Sequence, residues 1–404
     1  MDEATIDARE YEYLQTTAAI RARAGAVVAA GRRGELAHFR VHDARLAEAA
    51  QRVIAVIRQA YPDVHAIPYH GRYRHFDVGG VPRLERFLRS LEGASTDDKL
   101  RSSAELVITS VLLDAGAGPG WGYTEPGNAR YTRSEGLAVA SYHLFVSGAL
   151  SADGSPRADA AGLSRFGAAA LQRAFQVTEE NPLIGVEGRA SLLRKLGRAV
   201  ATTPKYFDPA GPRLGDLAVF LKRAAVGNRV RAGDVLAAVL EALGPIWPGR
   251  EQLAGKPLGD VWRHRRFGLV PFHKLSQWLS YSLLEPLEAA GLVIDGVGEL
   301  TGLPEYRNGG LFLDTGVLSL ADPGAAARDH EVSSELVIEW RALTVALLDE
   351  LATEVRRSLG LTPEQLPLAR VLEGGTWRAG RVFAREARAD GGPPLRIISD
   401  GTVF

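Results

Sequence analysis

The sequence predicts a mainly α-helical, multi-helix fold with a few short strands. Three observations carry that expectation. Apolar residues recur at three- and four-residue spacings, as in Leu46, Ala49, Val53, Ile54 and Ile57, and again in Leu336, Trp340, Leu343, Leu347 and Leu351. Glycine and proline clusters such as Gly116-Ala117-Gly118-Pro119-Gly120 stop these runs. A chain of 404 residues, 46% hydrophobic and 24% charged, is long enough to bury a large core.

Residues 5–59 carry the first helical pattern, ended by Tyr61-Pro62-Asp63. A basic and aromatic loop follows, with His65, His70, Arg72, Tyr73 and His75, closed by Gly79-Gly80. The five-residue histidine interval suits one face of neither helix nor strand, so the loop is expected to be packed or phosphate-facing and to hold no metal. A helix over residues 102–115 places Asp114 in its last turn, where the helix dipole disfavours an anion and asks for a cationic partner or a functional duty. The glycine-rich loop 115–136 carries Trp121, Tyr123, Arg130 and Arg133, the makings of a lid with aromatic faces and guanidiniums for phosphate.

More helix is expected over 137–175, broken near 152–156, then over 187–200, and as two helices within 214–243. The turn 246–250 divides an amino-terminal lobe, 1–245, from a carboxy-terminal lobe, 246–404, packed intimately enough to count as one domain. Pro271 is read as a helix start, with Lys274, Gln277 and Tyr281 sharing one side. The stretch 302–316 reads as a glycine-rich loop bearing Glu305, Tyr306, Arg307 and Asp314. The segment 333–351 reads as an interior helix carrying Glu339 and Arg341, whose two-residue separation keeps them from pairing with each other. Residues 374–381 are expected to form a glycine-rich turn, and 395–404 a short closing strand and tucked tail.

Composition removes several function classes. Lys+Arg and Asp+Glu are equal at 48 each, so no overall field draws the chain to nucleic acid or to an anionic membrane. Zero cysteines exclude disulfides, thiolate nucleophiles and Cys-ligated metal sites. The acidic amino terminus leads into no apolar signal stretch, and no run approaches the roughly 18 apolar residues of a membrane span, so a cytoplasmic location is expected.

Polar groups then converge on one inference. Burying a carboxylate costs several kcal/mol unless something pairs with it. A cavity formed by Glu305, Arg307, Lys274, Gln277 and Glu339 would satisfy all of them, with Arg307 and Lys274 the expected partners of Glu339. Glu305 is the leading catalytic carboxylate, Asp314 the reserve and Asp114 a third candidate. Lys274, Gln277, Tyr306, Arg307, Glu339, Arg341, Trp121, Tyr123, Arg133, His70 and Arg72 are candidates for substrate binding.

The segments 107–118, Arg133-Ser134-Glu135-Gly136, 271–278, Glu305 to Gly310, 339–345 and 399–404 resemble the family of the fourth protein of the fungal and bacterial URC uracil-catabolism pathway. More remotely, Asn181-Pro182-Leu183-Ile184 with Glu187-Gly188-Arg189, Phe272 to Gln277, Glu305-Tyr306-Arg307 and Glu339 to Ala342 are similar to motifs of the queuosine-salvage N-ribosyl hydrolases. That likeness implies an all-helical fold related to the helix-hairpin-helix DNA glycosylases. The first resemblance implies a ring-opened uracil nucleotide, a ribosylurea phosphate, whose N-glycosidic bond is cut to give urea and ribose phosphate without metal or organic cofactor. The alternative is a non-catalytic regulator that binds a pyrimidine metabolite. Metal-dependent hydrolysis of the urea itself lacks a His-x-His or His-x-x-x-His pair.

Overall fold

The computed structural model describes residues 3–114, 116–118, 120–247 and 250–398. Helices dominate, and the strands among these residues occur as short two-stranded pairs. The longest helix, Glu335–Leu359, is the centre of the core. Leu336, Trp340, Leu343, Leu347 and Leu351 are buried on one side, and Val337, Val345 and Leu348 on the rest of its circumference. Each such side chain contributes about 1.5–3 kcal/mol on leaving water. Ser334 caps its amino end and Gly360, at φ 68°, closes it in the left-handed region that glycine tolerates. The helices Thr17–Arg32 and Leu46–Ala60 pack against it, while Lys274–Ala289 packs on Thr96–Leu112 and Tyr306–Asp314 on Trp377–Ala387.

Three of the strand pairs join distant parts of the chain. Phe39–Val41 runs antiparallel to Leu318–Leu320, Arg229–Arg231 parallel to Val293–Asp295, and Asp329–Glu331 parallel to Arg396–Ile398. The last pairing brings the segment 390–397 over the helix Tyr306–Asp314, where Pro394 approaches Gly310. Among the described residues, no helix is long and apolar enough to cross a membrane.

Four local expectations are corrected. Pro271 ends the strand Gly268–Pro271, and the backbone turns through His273 at φ 47° before the helix Lys274–Ala289 begins. The stretch after Glu305 is the helix Tyr306–Asp314, not a loop. The segment 374–381 is helical too, with a π-helical turn Leu372–Thr376 running into the helix Trp377–Ala387. For these last two stretches the reason is shared: their glycines serve close approach. A Cβ on Gly309 would lie 2.7 Å from the Trp340 ring, and one on Gly380 would lie 2.5 Å from the Arg307 carbonyl oxygen. Finally, the helix bearing Asp114 starts at Thr96, capped by Ser95, and ends at Leu112, so Asp114 sits just beyond it. The strand Arg396–Ile398 supplies the closing strand, and residues 399–404 lie outside the described residues.

Candidate active site

A cavity of about 560 Å³ opens where the ends of several helices meet. The loop after Thr96–Leu112 brings Asp114, the start of Arg133–Val146 brings Arg133 and Ser134, Lys274–Ala289 brings Lys274 and Trp278, and Glu305 heads the helix Tyr306–Asp314. His70, His75 and Trp377 complete an aromatic wall, and the segment 390–393 forms a rim.

Asp114 is placed by Arg72, which is fully buried. Its guanidinium Nη1 donates to Asp114 Oδ1 at 3.0 Å, Nε donates to Ser110 Oγ at 2.6 Å, and its backbone N–H donates to Ser282 Oγ at 2.9 Å. Ser134 Oγ lies 2.9 Å from both Asp114 oxygens. The loop itself is held by buried Arg189, which donates to the carbonyls of Leu113 and Gly116, each at 3.1 Å. Burial nevertheless raises the Asp114 carboxyl above the usual aspartate value, against the opposing pull of Arg72, Ser134 and Lys274. A carboxylate with raised proton affinity is suited to accept a proton during a reaction.

Glu305 is the N-cap of its helix. Oε2 accepts from the Arg307 N–H at 2.8 Å and Oε1 from the Asn308 N–H at 2.7 Å. Both oxygens are thereby fixed, and each keeps a second lone pair. Lys274 faces the cavity with no ion-pair partner within 4 Å among the described residues. Burial lowers its pKa, while Glu305 and then Asp114 pull the other way. Its backbone N–H is anchored on Asp260 Oδ2 at 2.9 Å. Arg307 is 5% exposed, its guanidinium lies 4.4 Å over the Trp377 ring, and its Nη2 is buried without a hydrogen-bond partner. Arg133, on the open side, has a left-handed φ of 56°, a conformation costly for a residue with a Cβ.

The aromatic wall combines ring faces with unspent donors. His75 stacks on Trp377 with centroids 5.2 Å apart and planes at 24°, and lies 6.0 Å from Trp278. Its Nδ1 is 3.3 Å from Arg72 Nη1, which only donates, so Nδ1 accepts and the proton of the neutral ring sits on Nε2. Burial first, and the nearby Arg72 cation second, hold His75 well below the ordinary histidine pKa. Its Nε2 and the Trp278 Nε1 are both buried without an acceptor. Buried donors without a partner each cost about 1–3 kcal/mol and are uncommon in folded proteins. His70, 3% exposed, is held through Nδ1 at 2.8 Å from Glu373 Oε2.

The structure thus brings together Asp114, Lys274, Glu305, Tyr306, Arg307, Arg133 and His70, with Arg72 directly behind Asp114. It places the other candidates elsewhere. Gln277 is buried, and its Oε1 accepts from the Thr301 N–H at 3.2 Å. Glu339 is turned to the far side of its helix, where its oxygens accept the Ala37 and His38 N–H groups at 3.3 and 3.1 Å and lie 3.6 Å from His264; neither Arg307 nor Lys274 pairs with it. Arg341 makes a bidentate pair with Asp260, both bonds at 2.8 Å, and Asp260 in turn accepts the Lys274 backbone N–H. Asp314 is 5% exposed at its side chain and paired with Arg388 at 2.6 Å. Trp121 is fully buried, donating to the Phe175 carbonyl at 2.9 Å, and Tyr123 stacks on His143. For Glu339, Arg341, Asp314 and Trp121, burial demanded a polar partner, and one outside the cavity supplied it.

Trp278, Trp377, His75 and Glu373 escaped the sequence reading as site residues. Trp278 reads as core by its helical spacing, and Glu373 gains meaning only through its contact with His70, 303 residues away. Among the described residues no three His, Asp or Glu side chains group as metal ligands, and His65 is exposed.

Residues 13–404 match the family described as protein of unknown function, DUF1688. The chain is 41% identical over 396 residues to Protein urg3 of Schizosaccharomyces pombe, covering 95% of this chain and 96% of that one. It is 40% identical over 413 residues to Uracil catabolism protein 4 of Lachancea kluyveri, covering 92% and 93% of the two chains. With the match spanning every residue that lines the cavity, this chain belongs to the DUF1688 family.

Proposed function

We propose that this protein acts in uracil catabolism as a metal-independent N-ribosyl hydrolase, cutting a ribosylurea-type nucleotide to urea and ribose phosphate. The observation that carries the reading is one cavity that combines two positioned carboxylates, an unpaired ammonium, a buried guanidinium with a free N–H and two orphan ring donors. The name Uracil catabolism protein 4, borne by a relative 40% identical to this chain, supports the metabolic setting.

Breaking an N-riboside builds positive charge at the anomeric carbon, and fixed anions below the sugar stabilise it. Glu305 serves this role, since its capping bonds hold both oxygens still and leave lone pairs for the sugar. Asp114, with its raised proton affinity, takes the proton of the attacking water. Arg307 and Arg133 bind the phosphate, a dianion for which two guanidiniums are matched partners. Lys274 holds a sugar hydroxyl between the two carboxylates that attract it.

A regulator that only binds its ligand is the second reading, favoured by the structural engagement of both oxygens of Asp114 and of Glu305. One experiment separates the two. Incubation with ribosylurea 5-phosphate in the presence of a chelator should yield urea and ribose phosphate in equal amounts. Tight binding with no product would establish the regulator instead.

A further inference from the structure

The scheme above leaves the departing ureido nitrogen without a proton donor. Urea anion is a poor leaving group, so a proton must reach it as the bond breaks. His70 is the cavity residue built for this. Its backbone N–H donates to the Ala369 carbonyl at 3.0 Å, and its ring lies 6.4 Å from Trp278 and 5.6 Å from Trp377. Nδ1 is committed to Glu373, which leaves Nε2 as the free nitrogen of a residue that lines the cavity. Glu373, 2% exposed, stands on the π-helical turn Leu372–Thr376, an irregularity that often accompanies functional positions. The turn is seated by Gly374 and Gly375, where a Cβ would come within 2.9 Å of Ile67 and Val53 respectively. Arg378, 3.5 Å from the other Glu373 oxygen, fixes the carboxylate from behind. A buried acid whose position fixes the orientation of one imidazole follows the same logic as the acid in a Ser-His-Asp triad.

We propose that His70 is the catalytic group that protonates the departing ureido nitrogen through Nε2, with Glu373 as its positioning residue; this rests on the hydrolase reading. In the step, the bond from C1 to nitrogen breaks and its electron pair goes to nitrogen, which takes the Nε2 proton of a doubly protonated His70 ring whose Nδ1–H stays on Glu373. Water adds to C1 and gives its proton to Asp114. The imidazole regains a proton from solvent and Asp114 releases one, so the sum is ribosylurea phosphate plus water to ribose phosphate plus urea.

The test compares two substrates, ribosylurea 5-phosphate and 4-nitrophenyl riboside 5-phosphate, whose phenolate leaves without a proton. His70→Ala should lose about a hundredfold or more in kcat on the ureido substrate, with KM nearly unchanged, yet less than about tenfold on the nitrophenyl one. Added imidazole should restore part of the loss. Glu373→Gln, a milder change that keeps the fold if His70→Ala does not, should show the same selective pattern at about tenfold. Equal losses on both substrates, or none, would overturn the assignment while wild-type turnover keeps the hydrolase reading alive. Wild-type protein that binds the ureido substrate without releasing urea defeats both.

Discussion

Glu305→Gln separates two duties of one side chain. The change keeps the shape and removes the charge. Today the two carboxylate oxygens accept the N–H groups of Arg307 and Asn308 at 2.8 and 2.7 Å. A glutamine has one oxygen left to accept, so one N–H loses its partner, at about 0.5–1 kcal/mol for half a cap. The anion at the helix amino terminus is also lost, worth about 0.3–1 kcal/mol. Together these give a loss of about 1–2 kcal/mol in denaturant unfolding at pH 7. The chemical cost is separate and larger, about a hundredfold in kcat or 3 kcal/mol, because the anion beneath the developing cation is gone. Urea release at saturating ribosylurea phosphate reads the second quantity independently of the first. A variant that loses stability but keeps full kcat would make Glu305 a helix cap and nothing more. A variant as stable as wild type would refute the capping geometry itself.

Four further outcomes follow from the same geometry. Asp314→Asn should remain active and lose stability, since Asp314 is spent on Arg388; a dead but folded variant would move the chemistry to that side of the helix. Arg307→Ala should weaken ribosylurea phosphate by about tenfold to a hundredfold in calorimetry, the worth of a charge-assisted bond, and leave the unphosphorylated ligand almost unaffected; equal losses would contradict a phosphate role. Lys274→Met should bind ligand poorly yet be at least as stable at neutral pH, because burial is the main influence lowering the folded-state pKa. The unfolded lysine therefore holds more protons between the folded value and about 10.4, so wild type should gain on the variant as pH rises into that window; the opposite trend would show the ammonium to be stabilising. His75 is buried neutral with its pKa held well below the ordinary value, so its contribution is full above about pH 6.5 and is lost as pH falls below it, by up to about 1.4 kcal/mol per pH unit. Unfolding followed from pH 7.5 to 5 should be visibly flatter for His75→Asn, and identical slopes would remove His75 as an acid-sensitive group.

The helices were readable from spacing, since a 3.6-residue stripe has one structural meaning over 15 residues. Glycines were where the reading slipped. Gly309, Gly310, Gly374 and Gly375 look like turn residues, but they lie in helices pressed against Trp340, Pro394, Ile67 and Val53. That distinction depends on the neighbour, which local sequence does not contain. The site was legible to the extent that a charge in an apolar context announces a need for partners. Glu305, Arg307, Lys274, Asp114 and His70 all line the cavity. Glu339 and Arg341 showed the same signal and met it with the Ala37 and His38 amides and with Asp260, because any buried ion pair reads the same in one dimension.

The central claim is that the bond broken is the one between sugar and nitrogen. Ribosylurea 5-phosphate carrying ¹³C at the ureido carbonyl, followed by ¹³C NMR during incubation with the protein, tests it most directly. Intact labelled urea should grow as the substrate signal falls. Labelled bicarbonate instead of urea would mean that the urea carbonyl is attacked, and an unchanged spectrum with ligand bound would mean that the cavity holds this molecule without cutting it.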